Sequence, residues 1–175
     1  MDLQTLQKIS AQILSREVPT YKRYLYSKID FSSKLIGIKG ARGAGKSTIL
    51  LQYAKSLDYS ISKILYVSCD HPAMSGVSLY DVAEAFYARG GKLFIIDEIH
   101  KNDKYSKDLK AIYDVFDLQV LFSGSSALQM ENSVADLSRR AVIHTLGVLS
   151  LREFCELQTD QPFENYLLED ILKNH

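Results

Sequence analysis

The stretch GIKGARGAGKSTIL, residues 37–50, decides the fold of this chain. Within it, Gly40, Gly45, Lys46 and Ser47 satisfy the spacing G-x-x-x-x-G-K-[ST]. The apolar run KLIGIKG ends in the loop and predicts a strand, and KSTILLQYAKSL leaves the loop and predicts a helix. This spacing between a strand and a helix is typical of a phosphate-binding loop. We therefore expect the chain to bind a phosphorylated ligand at this loop.

The residue types in the loop suit the chemistry of phosphate. Glycines let the backbone approach an anion and turn its N–H groups toward it, and the start of the following helix adds a positive dipole end. Lys46 is predicted to reach the β- and γ-phosphates, Ser47 to bind Mg²⁺ through its hydroxyl, and Thr48 to donate to the α-phosphate. The predicted nucleotide-binding residues are Gly40, Arg42, Gly43, Ala44, Gly45, Lys46, Ser47 and Thr48. Arg42 would either touch a phosphate or form a salt bridge outward to a neighbouring domain.

A pair of acids forms the second motif, KLFIIDEIHKN. Four apolar residues run into Asp97 and Glu98, at the end of a predicted buried strand. Burying unpaired carboxylates is costly, so we interpret the pair as functional, the alternative being two ordinary charges at a strand end. Asp97 is predicted to hold Mg²⁺ directly or through a water, and Glu98 to polarise the water that attacks the γ-phosphate. This pair favours hydrolysis over transfer to a substrate hydroxyl.

A cluster of serines forms the third motif, VLFSGSSAL. If its strand lies between the loop strand and the acid strand, Ser123 or Ser125 could reach the γ-phosphate or the attacking water. The alternative is that Ser125 or Ser126 caps the start of a helix. Both interpretations stay open.

Strands and helices alternate along the middle of the chain. The runs KILYVSC, KLFIIDE, QVLFSGS and AVIHTL predict strands after the loop strand. Apolar residues at helical spacing predict helices over residues 79–87 and 105–116. The alternation predicts a parallel sheet with helices on both faces, which is a three-layer α/β fold.

The two ends of the chain depart from this alternation. The pattern of residues 2–16 predicts an amphipathic helix, and Pro19 predicts the start of a second short helix, TYKRYLYSKI. Together they would form an N-terminal helical extension over residues 1–30, followed by a core over residues 31–150. Residues 151–175 predict a helical tail, with LSLREFCEL capped by Ser150 and followed by a helix FENYLLEDILKNH. We expect this tail to begin a further, truncated domain; a native C-terminal helix is the alternative.

Composition restricts the function classes. The 175 residues carry 21 basic and 21 acidic side chains, a balance that indicates neither a nucleic-acid nor a membrane partner. No apolar run is long enough to span a bilayer, and the first residues do not read as a secretory signal. Cys69 and Cys155 are expected to be free thiols in a reducing cytoplasm, and the histidines lack the spacing of metal ligands.

A group of tyrosines and basic residues lies before the first strand. Tyr21, Tyr24 and Tyr26, with Lys22 and Arg23, could stack on a base of a nucleotide or of DNA. The alternative is a helix packed on the core with its tyrosine hydroxyls in water.

These motifs resemble, in order, segments of prokaryotic ATPases of the AAA superfamily. The segments GIKGARGAGKSTIL, LFIIDEIHK, VLFSGSSAL and LSRRAVIHTLGVLSLREF carry the resemblance over about residues 20–157. The loop is most similar to the archaeal and bacterial branch that reads G-x-R-G-x-G-K and often carries a separate C-terminal domain. The resemblance implies ATP and Mg²⁺ as cofactors and a five-stranded sheet in the order 5-1-4-3-2.

The resemblance also implies roles for single residues. Lys46 and Ser47 would be the Walker A pair, Asp97 and Glu98 the Walker B pair, and Ser123 or Ser125 the sensor that follows the fourth strand.

Arg139 or Arg140 lies just before the fifth strand, where relatives often place an arginine finger that acts in a neighbouring subunit of a homo-oligomer. An ion pair with Asp136 is the alternative for these arginines.

The function that follows is an ATP-binding and ATP-hydrolysing domain. It would bind ATP and ADP and act as a motor or switch for an unidentified client protein or DNA, in the cytoplasm and without a membrane partner. The alternative is a nucleotide-binding signalling or DNA-linked module with little turnover. Glu98 separates the two, because a module that only binds nucleotide has no need of it.

Overall fold

The computed structural model describes residues 2–124, 137, 139–163 and 172. Within these residues five strands are formed: β1 Leu35–Gly40, β2 Ile64–Ser68, β3 Leu93–Asp97, β4 Gln119–Gly124 and β5 Val142–Leu146. The α-helices of the same residues are α1 Leu3–Leu14, α2 Lys46–Ser56, α3 Leu79–Ala88, α4 Tyr105–Val115 and α5 Leu151–Thr159. Short 3₁₀ turns lie at Tyr26–Lys28, Ile61–Lys63, Pro72–Met74 and Ile99–Lys101. The predicted strands are confirmed within a residue at each end.

The strands form one parallel sheet in the order β2-β3-β4-β1-β5, which confirms the predicted order read from the opposite edge. Strand β1 pairs with β4 on one side and with β5 on the other, so that Ile38 lies beside Ser123 and His144. All five strands point the same way. Their carboxyl ends therefore meet at one edge of the sheet, the edge at which α/β sheets bind ligands.

Each face of the sheet carries its own cluster of buried apolar side chains. On one face, Phe86 of α3 and Ile112 of α4 pack with strand residues such as Phe94. On the other face, Ile49 and Leu50 of α2 do the same. This three-layer arrangement confirms the predicted α/β fold.

Helix α1 lies against β2, the strand at one edge of the sheet. Its Leu3 and Leu6 join one apolar cluster and its Leu14 joins the other. The hydroxyl of Ser10, which is buried, accepts the N–H of Tyr66 in β2 at 2.8 Å. The N-terminal helix therefore covers this edge and supplies a partner for one of its outward backbone groups.

The prediction of a second N-terminal helix over residues 20–29 is wrong. Only the 3₁₀ turn Tyr26–Lys28 forms there. The reason lies in long-range partners for the backbone: the side-chain amide of Gln52 donates to the carbonyls of Pro19 and Tyr21, both at 2.8 Å. The N–H of Tyr24 donates to a carboxylate oxygen of Glu153 at 3.0 Å. These groups are therefore bound to side chains from elsewhere in the chain instead of to a helical ladder.

Helix α5 begins at Leu151 and is capped by Ser150, as predicted. Its hydroxyl accepts the N–H of Glu153, and the Glu153 carboxylate accepts the N–H of Ser150, which together form a capping box. The helix predicted over residues 163–175 lies outside the described residues, apart from Phe163 and Leu172. Ser125, Ser126 and Asp136 also lie outside them.

Candidate functional site

The loop between β1 and α2 takes its shape from glycines. Gly43 and Gly45 have φ angles of 80° and 98°, in the left-handed region that favours glycine. Gly40 is required for a different reason, because a Cβ atom there would collide with the backbone carbonyl of Leu146 in β5. The loop thus combines a tight turn with a close approach between neighbouring strands.

Lys46 is the first residue of α2 and lies inside this loop. The residue is 4% exposed, and its Nζ donates to the carbonyls of Gly40 and Ala41 at 3.0 and 2.9 Å. Both acceptors are neutral groups, so they orient the ammonium without cancelling its charge. The positive charge therefore remains available to an anion bound by the loop.

Asp97 stands at the end of β3, where three hydroxyl groups converge on its carboxylate. Ser47 and Tyr66 each donate to Oδ2 at 2.6 Å, and Ser123 donates to Oδ1. Asp97 is 7% exposed, and the N–H of Glu98 adds a fourth donor at 3.1 Å. These bonds satisfy a buried carboxylate and fix its orientation. They also bring together three residues that the sequence placed at this site, Ser47, Asp97 and Ser123.

Tyr66 was missed by the sequence analysis. It lies in β2, in the run ILYVS, and it is 4% exposed. Burial, and then the charge of Asp97 and the hydrogen bond to it, raise the pKa of Tyr66 above its ordinary value, so the phenol stays protonated as a donor. A tyrosine inside an aliphatic buried strand was the available signal, because a buried hydroxyl requires a partner.

Glu98 has a backbone conformation that is rare for a residue with a side chain. Its φ of 50° lies in the left-handed region, which costs about 1–3 kcal/mol and is often found at functional sites. Its N–H points at Asp97 and also at the hydroxyl of Ser123, at 3.2 Å. Its side chain is 26% exposed, with Oε2 3.5 Å from Nδ1 of His100. The adjacent acids therefore differ: Asp97 is buried and fixed, and Glu98 is accessible.

Four further candidates lie at the surface or beside it. Arg42 is exposed and Thr48 half-buried. Arg139 is exposed, and Arg140 forms a two-pronged ion pair with Asp114 of α4, with Nε–Oδ1 at 2.9 Å and Nη2–Oδ2 at 3.1 Å. Arg140 therefore has an ion-pair partner within its own chain, other than the one considered from the sequence.

Two of the tyrosines before β1 bind α5. The hydroxyls of Tyr21 and Tyr24 donate to the two carboxylate oxygens of Glu156 at 2.9 and 2.6 Å. The interpretation of this segment as a helix with its tyrosine hydroxyls in water is therefore wrong. Lys22 lies over the ring of Tyr26, 4.3 Å from its centroid.

Arg23, between these tyrosines, reaches the candidate site. Its Nη1 donates to the carbonyl of Ala44 in the loop at 2.5 Å, and its Nε donates to Glu153 of α5 at 2.7 Å. No local pattern in the sequence indicated these contacts, which join residues far apart along the chain.

The two cysteines are free, as expected, and both are partly buried. Burial, and then the charge of Asp97, raise the pKa of Cys69 to about 12. The Cys69 thiol is therefore protonated at neutral pH.

The parallel sheet has a glycine loop and a buried lysine after its first strand and an acid pair after its third. These features together define a P-loop nucleotide-binding domain. Residues 32–155 match the family described as AAA domain, and the chain belongs to this family. This chain therefore contains a nucleotide-binding domain of the AAA type.

A curated protein resembles most of this chain in sequence. The chain is 31% identical over 182 aligned residues to Uncharacterized protein MJ1637 of Methanocaldococcus jannaschii, an alignment that covers 93% of this chain and 38% of that protein. The chain therefore spans about two fifths of the length of this relative.

Two solved structures resemble the domain. The ADP complex of Hsp104 from S. cerevisiae has a TM-score of 0.50 at 17% identity, over 90% of this chain and 24% of that one. The structure of AMPPCP-bound DnaA from Aquifex aeolicus has a TM-score of 0.47 at 11% identity, over 96% of this chain and 55% of that one. At such identities the likeness to Hsp104 concerns the fold alone.

The described residues contain neither a membrane-spanning helix nor a cluster of metal ligands. None of the helices there has the length and apolarity needed to cross a membrane. No group of three or more histidine, cysteine, aspartate or glutamate side chains in the same part of the chain could hold a metal ion by itself.

Proposed function

We propose that this domain binds ATP with Mg²⁺, hydrolyses it, and acts as a motor or switch for a client protein or DNA. The observation that carries the proposal is the convergence of Lys46, Ser47, Asp97 and Glu98 at the carboxyl edge of the sheet. In this proposal they would supply a triphosphate held by the β1–α2 loop with a charge, metal ligands and a base. The reading G-x-R-G-x-G-K in this loop supports the prokaryotic branch of the family.

The loop would hold the phosphates through backbone N–H groups and the N-terminus of α2. Lys46 would exchange its two carbonyl partners for phosphate oxygens, which are stronger acceptors because they are charged. Thr48 would donate to the α-phosphate. The exposed Arg42 is free to take either of its two proposed roles.

The residues present fit a magnesium ion. Mg²⁺ prefers oxygen ligands and is usually held by one or two protein groups together with phosphates and water. Ser47 Oγ and Asp97 Oδ2 are two such oxygens, 2.6 Å apart. When bound, the ion would neutralise charge on the phosphate oxygens. Tyr66 and Ser123 would keep the Asp97 carboxylate in place.

Glu98 would act on the attacking water. Its carboxylate is accessible, whereas that of Asp97 is occupied by four donors, so the two acids can divide the roles of base and metal ligand. Ser123 would serve as the sensor, because its hydroxyl contacts both Asp97 and the backbone of Glu98. Arg139 or Arg140 would supply a positive charge to a neighbouring subunit, which makes a homo-oligomer part of the proposal.

The test compares nucleotide binding and turnover in two variants. Lys46→Ala should lose most of its triphosphate affinity by calorimetry while its thermal melting stays close to that of the wild type, because its ammonium contacts the loop and no apolar core. Glu98→Gln should still bind ATP·Mg²⁺ but release phosphate about 10²- to 10⁴-fold more slowly under multiple turnover, since the amide is no base.

The control is Glu84→Gln, which changes an exposed glutamate of α3. It should match the wild type in both assays. Unchanged binding in Lys46→Ala would refute the loop assignment. Tight binding with no turnover in the wild type would instead favour the signalling or DNA-linked module.

A further inference from the structure

Arg23 joins three parts of the chain. Its guanidinium donates to the Ala44 carbonyl in the loop at 2.5 Å. It donates to the carbonyls of Gly147 and Val148, just after β5, both at 3.1 Å. It also holds both carboxylate oxygens of Glu153 in α5, at 2.7 and 3.1 Å. One side chain thus contacts the phosphate-binding loop and the last described helix together.

The Arg23–Glu153 pair is buried, with side chains 10% and 6% exposed. Two-pronged pairing of this kind fixes the guanidinium in one plane. Glu153 also accepts the N–H groups of Tyr24 and Ser150, both at 3.0 Å. Helix α5 therefore helps to fix the position of Arg23, and a displacement of α5 would pull on its guanidinium.

At the loop, Arg23 holds the peptide group between two residues. The carbonyl of Ala44 and the N–H of Gly45 belong to the same planar trans peptide and point in opposite directions. By fixing the carbonyl, Arg23 also fixes the direction of the Gly45 N–H. Backbone N–H groups are what such a loop uses to bind phosphate.

At the other end, α5 is attached to the domain through polar contacts. Its buried residues are Glu153 and Glu156, whereas its apolar residues Leu151, Phe154 and Leu157 are 79%, 50% and 48% exposed. Because apolar packing contributes little to this attachment, the position of α5 depends on the hydrogen bonds from Arg23, Tyr21 and Tyr24. A change at Arg23 would therefore reach the helix.

We propose that Arg23 is a positioning residue that couples the phosphate-binding loop to α5. Binding of a nucleotide changes how α5 is held, and loosening α5 changes nucleotide affinity by the same factor, because such coupling is reciprocal. The nucleotide half of this inference rests on the proposed function. The coupling between loop and helix stands on the contacts of Arg23 alone.

The first experiment needs no nucleotide. Amide hydrogen exchange is measured over residues 43–47 in the wild type, in Glu153→Gln and in the control Glu84→Gln. Glu153→Gln leaves every loop residue in place, yet it should raise exchange in the loop by about 5-fold or more. The control should leave loop exchange unchanged. Equal loop exchange in all three proteins would overturn the coupling.

A milder variant covers the case in which Glu153→Gln does not fold. Tyr21→Phe/Tyr24→Phe removes both hydroxyl bonds to Glu156 but leaves Arg23 and Glu153 in contact. Exchange in both α5 and the loop should rise in this variant. A rise confined to α5 would overturn the coupling.

The second experiment adds ADP or a non-hydrolysable ATP analogue. In the wild type, hydrogen exchange over residues 153–159 should change when the nucleotide binds. In Arg23→Lys, which keeps the charge but loses the two-pronged geometry, exchange over these residues should stay the same. Arg89→Lys, a change at the residue that follows α3, serves as the matched control and should respond like the wild type. Binding without any change in α5 would overturn the nucleotide half of the inference. A wild type that binds no nucleotide would refute the proposed function and leave the first experiment to decide the coupling.

Discussion

Replacing Glu153 by glutamine should weaken the domain in a pH-dependent way. Burial by itself raises the pKa of Glu153, but the hydrogen bonds from Arg23 and from the backbone of Ser150 and Tyr24 outweigh it and lower the pKa from 4.5 to about 2. A difference of one unit between the folded and unfolded pKa corresponds to about 1.36 kcal/mol of stability. The ionised carboxylate therefore stabilises the folded state by about 3 kcal/mol at neutral pH, as an order of magnitude.

The sign of the pH dependence follows from the direction of this shift. The unfolded chain takes up the proton near pH 4.5, before the folded chain does at about 2. The stabilisation is therefore fully present above about pH 5 and is lost as the pH falls toward about 2. For this pair of values, the loss is about 1 kcal/mol at about pH 4 and about 2 kcal/mol at about pH 3.

Urea unfolding at several pH values measures the effect. The sequence has 11 tyrosines and no tryptophan, so circular dichroism and tyrosine fluorescence are the suitable signals. At neutral pH, Glu153→Gln should lose about 3–5 kcal/mol of unfolding free energy, because Arg23 is left as a buried charge without its partner. The gap between wild type and variant should then narrow by about 1 kcal/mol at about pH 4.

The control again is Glu84→Gln, an exposed glutamate whose replacement should leave the pH profile parallel to that of the wild type. A gap for Glu153→Gln that stays constant from neutral pH to about pH 4 would refute the reasoning. It would mean that Glu153 does not titrate differently in the folded and unfolded chain.

Two other predictions concern the candidate site and its neighbours. Tyr66→Phe removes one donor to the buried Asp97 carboxylate and should lower the free energy of unfolding by about 1–3 kcal/mol in urea titrations; a variant as stable as the wild type would contradict the role of that hydrogen bond. We also expect rescue when Glu98→Gln subunits are mixed with subunits that carry both Arg139→Ala and Arg140→Ala. The mixture should release phosphate although neither variant does so alone, since an arginine finger contributes about 10³–10⁵ in rate. An inactive mixture beside an active wild type would exclude an arginine acting between subunits.

The sheet could be predicted because its signals are local. Each strand is a short apolar run, and the alternation with helices fixes parallel pairing. The strand order came from the resemblance of the motifs to a known family, and the structure confirms it. The segment 20–29 could not be predicted in the same way, because its conformation depends on Gln52 and Glu153, which lie far along the chain.

The same distinction applies to the site. Ser47, Asp97 and Ser123 were found because each follows directly from a motif at the end of a strand or the start of a helix. The sequence did not reveal the roles of Tyr66 and Arg23, because their partners are brought close only by the packing of separate elements.

The contact between α1 and β2 affects how the edge of the sheet can meet other molecules. An uncovered edge strand presents a row of backbone groups that can pair with another molecule and start aggregation. Helix α1 lies over this edge and the Ser10 hydroxyl accepts the N–H of Tyr66. Removal of residues 1–14 would expose β2, a buried and largely aliphatic strand, to pairing with strands of other molecules. By covering β2, helix α1 removes an edge at which strand pairing between molecules could begin, a role separate from that of the candidate site.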